Sequence, residues 1–500
     1  MVLNLRAVLG TLAALVGFAG VAMLAPVGVA AFYGEEAWWP FLVTALGAMG
    51  VGGGVWLRWG RGEGDAIRIR EGFAIVALAW IVISLAGAVP LLLGGVTASF
   101  TDAFFETVSG FTTTGATILG GGGNPDIESL PNAFLFWRSL THWLGGMGII
   151  VLTLAILPIL GVGSMQLFKA EVPGPTADKL TPRVRETARR LWLIYVGITA
   201  VQVAVLAPAL GLFEAVNHAF ATMATGGFST RNASVGHFSS AYVDWVITLF
   251  MYVAGVNFAL HFRLLRGQAI TVFRDTEFRV YTLIVLVASV VTALALWDPV
   301  RLAMPGGGVS QGYADFTEAL RFGAFQSTAI VTTTGFATAD YELWPPVAIG
   351  VLFVLFFVGG MAGSTGGGVK VVRHVLLFKN SFKEVKQLVH PQAVLNVRLN
   401  DRVVPQEVMR NVLSFIVLYF ALIGLGTLAM TVVGADILTA FGGALSSVGN
   451  VGPAFGTLGP AENYAHIPAA GKWVLSFLMV AGRLEIFTML IIFAPSFWRR

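Results

Sequence analysis

Long apolar runs recur along the whole chain, at about 6–32, 38–57, 72–95, 132–160, 190–211, 241–262, 280–297, 346–378, 411–433 and 472–495. A helix rises 1.5 Å per residue, so runs of this length match the ~30 Å hydrocarbon core of a bilayer. The pattern predicts ten membrane spans. From the third run onward a second pattern is superposed: a span, an apolar segment too short to cross, a loop of small residues and hydroxyls, and another span. The short segments are 101–112, 214–223, 315–332 and 436–448. Their loops begin at Thr112-Thr113-Thr114-Gly115, Ala224-Thr225-Gly226-Gly227, Thr332-Thr333-Thr334-Gly335 and Asn450-Val451-Gly452-Pro453.

The recurrence predicts an all-α integral membrane protein. Four pseudo-repeats, each a helix, a re-entrant pore helix with its filter loop and a second helix, surround one pore. Phe105-Glu106-Thr107 and Phe325-Gln326-Ser327 stand at equal offsets before Gly115 and Gly335, as duplication requires. The expected division is an accessory helix pair with a basic linker at 1–70, then repeats at 71–165, 166–268, 269–390 and 391–500. Backbone that leaves a helix inside the membrane is tolerated only against protein or water. Four such loops converging on an axis present rings of main-chain carbonyls, which can replace the hydration shell of a monovalent cation. Small residues serving only close helix packing would explain one such loop better than four.

Composition agrees with the pattern. Of 500 residues 56% are hydrophobic and 12% charged, which no water-soluble core accommodates. The first run is longer than the apolar part of a cleaved signal peptide, so it is taken as a span. Cysteine is absent, which excludes disulfides and thiolate metal sites. Alternating the loops across the membrane gathers Arg6, 58–70, 169–190, 263–279, 370–410 and Arg499-Arg500 on one side. The other side keeps Arg138, Arg231, Arg301, Arg321 and Lys472 with many acids. By the positive-inside rule both termini are cytoplasmic.

Each half-crossing helix points its C-terminus, with its partial negative charge, at the pore centre. Acids near the outer helix starts, Asp102, Glu106, Glu214, Asp315, Glu318 and Asp436, either concentrate cations at the mouth or simply cap helices. Gly359-Gly360-Met361-Ala362-Gly363-Ser364-Thr365-Gly366-Gly367-Gly368 interrupts the 346–378 run. Val369 separates Gly368 from Lys370, so this is not a phosphate-binding loop. Ala362 stands where a serine nucleophile elbow requires glycine. Two readings stay open, a mobile obstruction below the filter and a packed kink. Arg483 is an intramembrane cation, either a barrier in the pore or half of a structural ion pair. Glu485 lies on a different helix face, so that pair is not local. No constellation of catalytic groups occurs, so an enzyme is not expected.

The loops TTTGAT, ATGGFST, TTTGFATAD and GNVGPAFG, with WRSLTHWLGGMGIIVL at 137–152, GSTGGGVK at 363–370 and AGRLEIFT at 481–488, resemble the TrkH-type subunits of the Trk/Ktr/HKT potassium transporters. The resemblance covers almost the whole chain, and the extra helix pair looks like the Trk branch. It implies selective inward passage of K+ through a bacterial inner membrane. It also implies a homodimer in the lipid bilayer with one pore per protomer, and a cytoplasmic TrkA-like regulatory subunit. The nucleotide, NAD or ATP/ADP, is expected on that partner and not on this chain, with no covalent cofactor, no metal but K+ at the filter, and no nucleic acid. The filter positions carried over are Thr113, Thr114 and Gly115, Ala224, Thr225 and Gly226, Thr333, Thr334 and Gly335, and Asn450, Val451 and Gly452. The fourth departs from Thr-Thr-Gly. Gly359, Gly360, Gly363, Ser364, Thr365, Gly366, Gly367 and Gly368 match the gating loop, and Arg483 the pore arginine. The alternative is a sodium- or proton-coupled carrier, for which Arg483 with Glu485 is the candidate pair.

Overall fold

A computed structural model describes residues 3–60, 69–148, 184–298, 312–400 and 402–498. The expected span beyond Gly148, most of the 169–190 loop, Arg301 and Arg499-Arg500 lie outside the described residues. The helices in chain order are α1 (Leu5–Ala22), α2 (Leu24–Tyr33), α3 (Trp38–Trp59), α4 (Ile69–Leu93), α5 (Phe100–Phe111), α6 (Asn132–Trp143), α7 (Val184–Leu210), α8 (Leu212–Met223), α9 (Ala241–Ala254) and α10 (Phe258–Leu265). They continue with α11 (Ala269–Arg274), α12 (Thr276–Leu296), α13 (Phe316–Val331), α14 (Pro346–Leu355), α15 (Val371–Val389), α16 (Gln406–Val432), α17 (Ile437–Gly449), α18 (Ala469–Arg483), α19 (Phe487–Phe493) and α20 (Pro495–Trp498). Two-residue strands, β1 (Arg398–Leu399) and β2 (Arg402–Val403), form a small antiparallel hairpin.

Six helical stretches among the described residues are long and apolar enough to cross a membrane, the first being Leu5–Tyr33 across α1 and α2. The chain is an all-α, multi-pass membrane protein. Three expected spans are not continuous helices. The 346–378 run divides into α14 and α15 around the glycine segment. The 241–262 run bends by 99° between α9 and α10, and the 472–495 run by 118° between α18 and α19. At the first bend Asn257 accepts the Ala259 N–H at 2.8 Å through Oδ1 and starts a new helix. At the second, Glu485 (φ 52°) and Ile486 (φ 65°) are left-handed, an uncommon conformation for a β-branched residue.

The short helices α5, α8, α13 and α17 hold 12, 12, 16 and 13 residues, too few to cross ~30 Å. Ser99, Asp315 and Asp436 cap α5, α13 and α17, accepting N–H groups of the first turn. Every residue of α5 from Asp102 to Phe111 is buried. Each short helix packs against the long helix before it: α5 on α4, α8 on α7, α13 on α12, α17 on α16. Further contacts join α6 to α8 and α9 to α13, while α18, near the end of the chain, returns to α5. Lys472 of α18 locks that return with an ion pair to Asp102 at 2.5 Å. The α1 and α3 pair meets through small residues: a Cβ on Gly52 would lie 2.5 Å from the Ala13 carbonyl oxygen.

Candidate functional site

The four short helices end alike. Thr113 (φ 54°), Thr225 (φ 55°), Thr333 (φ 57°) and Asn450 (φ 54°) each enter the left-handed region. In the first, Thr113 donates to the Gly110 carbonyl at 3.1 Å and Thr114 to that of Ser109 at 2.9 Å. The equivalent pairs recur as Thr225 to Thr222 and Gly226 to Ala221, Thr333 to Ile330 and Thr334 to Ala329, and Asn450 to Ser447 and Val451 to Ser446. This is the nested two-bond C-cap for which glycine is usual and asparagine an accepted substitute, so the three threonines carry backbone strain there. Two residues later stands a glycine with positive φ: Gly115, Gly227, Gly335 and Gly452.

Those glycines touch one another's loops in chain order. A Cβ on Gly115 would strike the Gly226 carbonyl oxygen, one on Gly227 that of Thr334, and one on Gly335 that of Val451. On Gly452 it would lie 2.5 Å from the carbonyl oxygen of Thr114, which closes the cycle. Thr113, Thr114 and Gly115 therefore share one register with Thr333, Thr334 and Gly335 and with Asn450, Val451 and Gly452, as the sequence suggests. The second loop is shifted: Thr225, Gly226 and Gly227 occupy that register, and Ala224 corresponds to Thr112. Gly227 is the residue missed. Phe228 after Gly227 and Phe336 after Gly335 carried the correct alignment.

Side chains brace each loop from behind. Glu106 accepts from Thr117 Oγ1 and the Ile118 N–H, both at 3.0 Å, and pairs with Arg138 at 2.9 Å. At the same place on α8, His218 Nε2 meets Ser229 Oγ at 3.0 Å, and on α13 Gln326 Nε2 donates to the Phe336 carbonyl at 3.4 Å. Gly443 occupies this place on α17, where Ser446 and Tyr464 donate to the Gly452 carbonyl at 3.0 and 2.7 Å. Asn450 ties the fourth loop to the first by donating to Thr114 Oγ1 at 3.0 Å.

Above the glycines lies an open concavity, lined by Gly115, Gly227, Gly335 and Gly452 together with Arg138, Arg231 and Glu462. Of the two roles open to the acids at the helix starts, drawing cations or capping, the contacts of five favour local partners. Asp102, Glu106 and Glu214 are paired with Lys472, Arg138 and Arg231. Hydrogen bonds from Thr317 hold the exposed Asp315 carboxyl below the usual carboxylate range, and those from Thr439 and Leu438 do the same for Asp436. These two act as caps.

Beneath the loops lies the glycine segment. Gly367 donates its N–H to Thr333 Oγ1 at 2.6 Å, and Thr365 Oγ1 donates to the carbonyls of Met223 at 3.0 Å and Ala254 at 3.3 Å. Met361 N–H reaches the Gly255 carbonyl at 2.9 Å and Phe258 N–H the Gly363 carbonyl at 3.0 Å, so the segment is stitched into the bend between α9 and α10. Arg483 donates to the Thr365 carbonyl at 2.8 Å and to those of Gly145 and Gly146 at 2.9 and 3.2 Å. Glu485 meets Arg373 instead, so Arg483 and Glu485 do not form the pair considered from sequence. Among the described residues no cluster of three or more His, Asp or Glu side chains is arranged to hold a metal ion.

Residues 49–500 match the TrkH family, described as "Cation transport protein". The chain is 42% identical to the Trk system potassium uptake protein TrkH of Salmonella typhimurium over 481 residues, covering 95% of this chain and 96% of that one. It is 36% identical to TrkG of Escherichia coli over 490 residues, covering 97% of each. The crystal structure of the potassium transporter TrkH from Vibrio parahaemolyticus superimposes with a TM-score of 0.86 at 36% identity, covering 99% of this chain and 100% of that one. With its membrane helices, its ring of glycine loops and these relatives, the chain belongs to the TrkH family of cation transport proteins, a family of transporters and not of enzymes.

Proposed function

We propose that the protein takes up potassium, passing K+ through a filter of main-chain carbonyls contributed by four loops. The observation that carries the reading is the closed cycle in which each loop's glycine abuts the next loop's carbonyl. Four equivalent carbonyls, those of Thr114, Gly226, Thr334 and Val451, then form one ring, and a ring of carbonyls suits a dehydrated monovalent cation. Helix C-termini behind it add partial negative charge. The chain divides into an accessory pair at 1–70 and pore repeats at 71–165, 166–268, 269–390 and 391–500. Gly359 to Gly368 act as the gate and Arg483 as a cationic barrier beneath the filter. The names of the relatives support potassium as the ion.

The same reading places the chain in a bacterial inner membrane with both termini cytoplasmic, as a homodimer controlled by a nucleotide-binding cytoplasmic subunit. Coupling to sodium or protons loses its candidate, because Glu485 is engaged by Arg373. The test is K+ and Na+ uptake into proteoliposomes by Gly115→Ser and Gly335→Ser. Both variants are expected to insert normally and to lose preference for K+, because a Cβ there meets a ring carbonyl. Unchanged K+ to Na+ ratios in both would contradict the filter.

A further inference from the structure

Glu277 stands in the first turn of α12 and is 8% exposed. Its Oε1 accepts two main-chain N–H groups, from Ala362 at 2.7 Å and from Val372 at 3.1 Å. Ala362 lies within the first half of the glycine segment, whereas Val372 lies in the first turn of α15, just beyond the segment's end. A single carboxylate oxygen from another helix thus holds both sides of the loop. Main-chain bonds close the loop's neck, Gly359 N–H to the Val369 carbonyl at 2.8 Å and Val371 N–H to that of Gly360 at 3.1 Å. Neither satisfies the N–H groups that Glu277 takes. The segment is rich in glycine, whose backbone loses the most freedom on ordering. It therefore needs external anchors to keep one conformation.

We propose that Glu277 is a positioning residue that clamps the two sides of the glycine segment and holds the segment in its present place beneath the carbonyl ring. The inference rests on reading that segment as the gate, and its test separates the two. The chain has no cysteine, so Val369→Cys, at a position 2% exposed, gives a single thiol reporter in the loop. Its alkylation is compared in the parent, Glu277→Gln and Glu277→Met backgrounds. Glutamine and methionine are both uncharged and close in size to glutamate, but only glutamine keeps an acceptor oxygen.

Alkylation is expected to be about tenfold faster with methionine and within about twofold of the parent with glutamine, the order expected for losing hydrogen bonds to a buried acceptor. Equal rates in methionine and parent, or glutamine as fast as methionine, would overturn the clamp. Amide exchange in the unsubstituted protein needs no variant to fold: the Ala362 and Val372 amides should be protected as well as that of Met361, and free exchange at both overturns the clamp. Potassium uptake by the same preparations reads the gate alone. Faster alkylation without faster uptake leaves the clamp standing and removes the gate.

Discussion

Thr113, Thr225, Thr333 and Asn450 hold left-handed conformations, which cost a threonine roughly 1–2 kcal/mol each and an asparagine less. Their side chains are at most 1% exposed, so surrounding packing over-determines them, as strained functional backbone requires. Three of the four loop registers were legible in the sequence because Thr-Thr-Gly or its offset is preserved. The second was not, because two adjacent glycines leave the position of the αL residue undecided until the backbone is seen. The register predicts unequal outcomes for neighbours. Gly227→Ala should lower the K+ to Na+ uptake ratio, whereas Ala224→Ser, at the place of Thr112, should leave the ratio unchanged; equal effects would return the register to Ala224-Thr225-Gly226. Arg483 was legible as an intramembrane cation, but its partners lie on distant segments, the glycine loop and Gly145-Gly146. Arg483→Gln removes a charge that stays protonated at any accessible pH and loosens the loop it holds. Uptake of K+ per folded protein should rise, with ion preference retained. Uptake at or below the parent rate, with preference intact, would place Arg483 outside the conduction path.

At the scale of elements, long helices and the glycine interruption follow from hydropathy and glycine content alone. The bends at Gly255–Asn257 and Leu484–Ile486 do not, because residues such as Leu484 and Ile486 read as continuing spans, and tertiary contacts such as Gly255 with Met361 make the breaks tolerable. The acids at the helix starts show the same limit: their number is in the sequence, their ion partners are not. A further acid joins the α2–α3 connection to α6. Glu35, between α2 and α3, accepts the Asn132 and Ala133 N–H groups at 2.7 and 3.1 Å and caps α6, which has no side-chain cap of its own. Glu35→Ala should lower stability by about 0.5–2 kcal/mol, the usual range for a lost cap, read as a fall in thermal midpoint in detergent with uptake per folded protein unchanged. No fall in midpoint would show the cap to be dispensable.

At the scale of the molecule, the four loops close on themselves through the glycine cycle and through Asn450 on Thr114, and Lys472 of α18 joins Asp102 of α5. Breaking such a buried ion pair typically costs about 3–5 kcal/mol, so closure is held by more than loop contacts. The all-α, multi-pass membrane fold was visible in the sequence because hydropathy is a local pattern. Closure was not, because its bonds join residues at opposite ends of the chain. The central claim, a ring of carbonyls that passes K+ down its own gradient, is tested most directly by the reversal potential of the purified protein in a planar bilayer. A K+ gradient is held fixed while the Na+ and proton gradients are varied in turn. The account predicts a reversal potential that stays near the equilibrium value for K+ throughout. A reversal potential that moves with the proton gradient, or with Na+ as strongly as with K+, would contradict it.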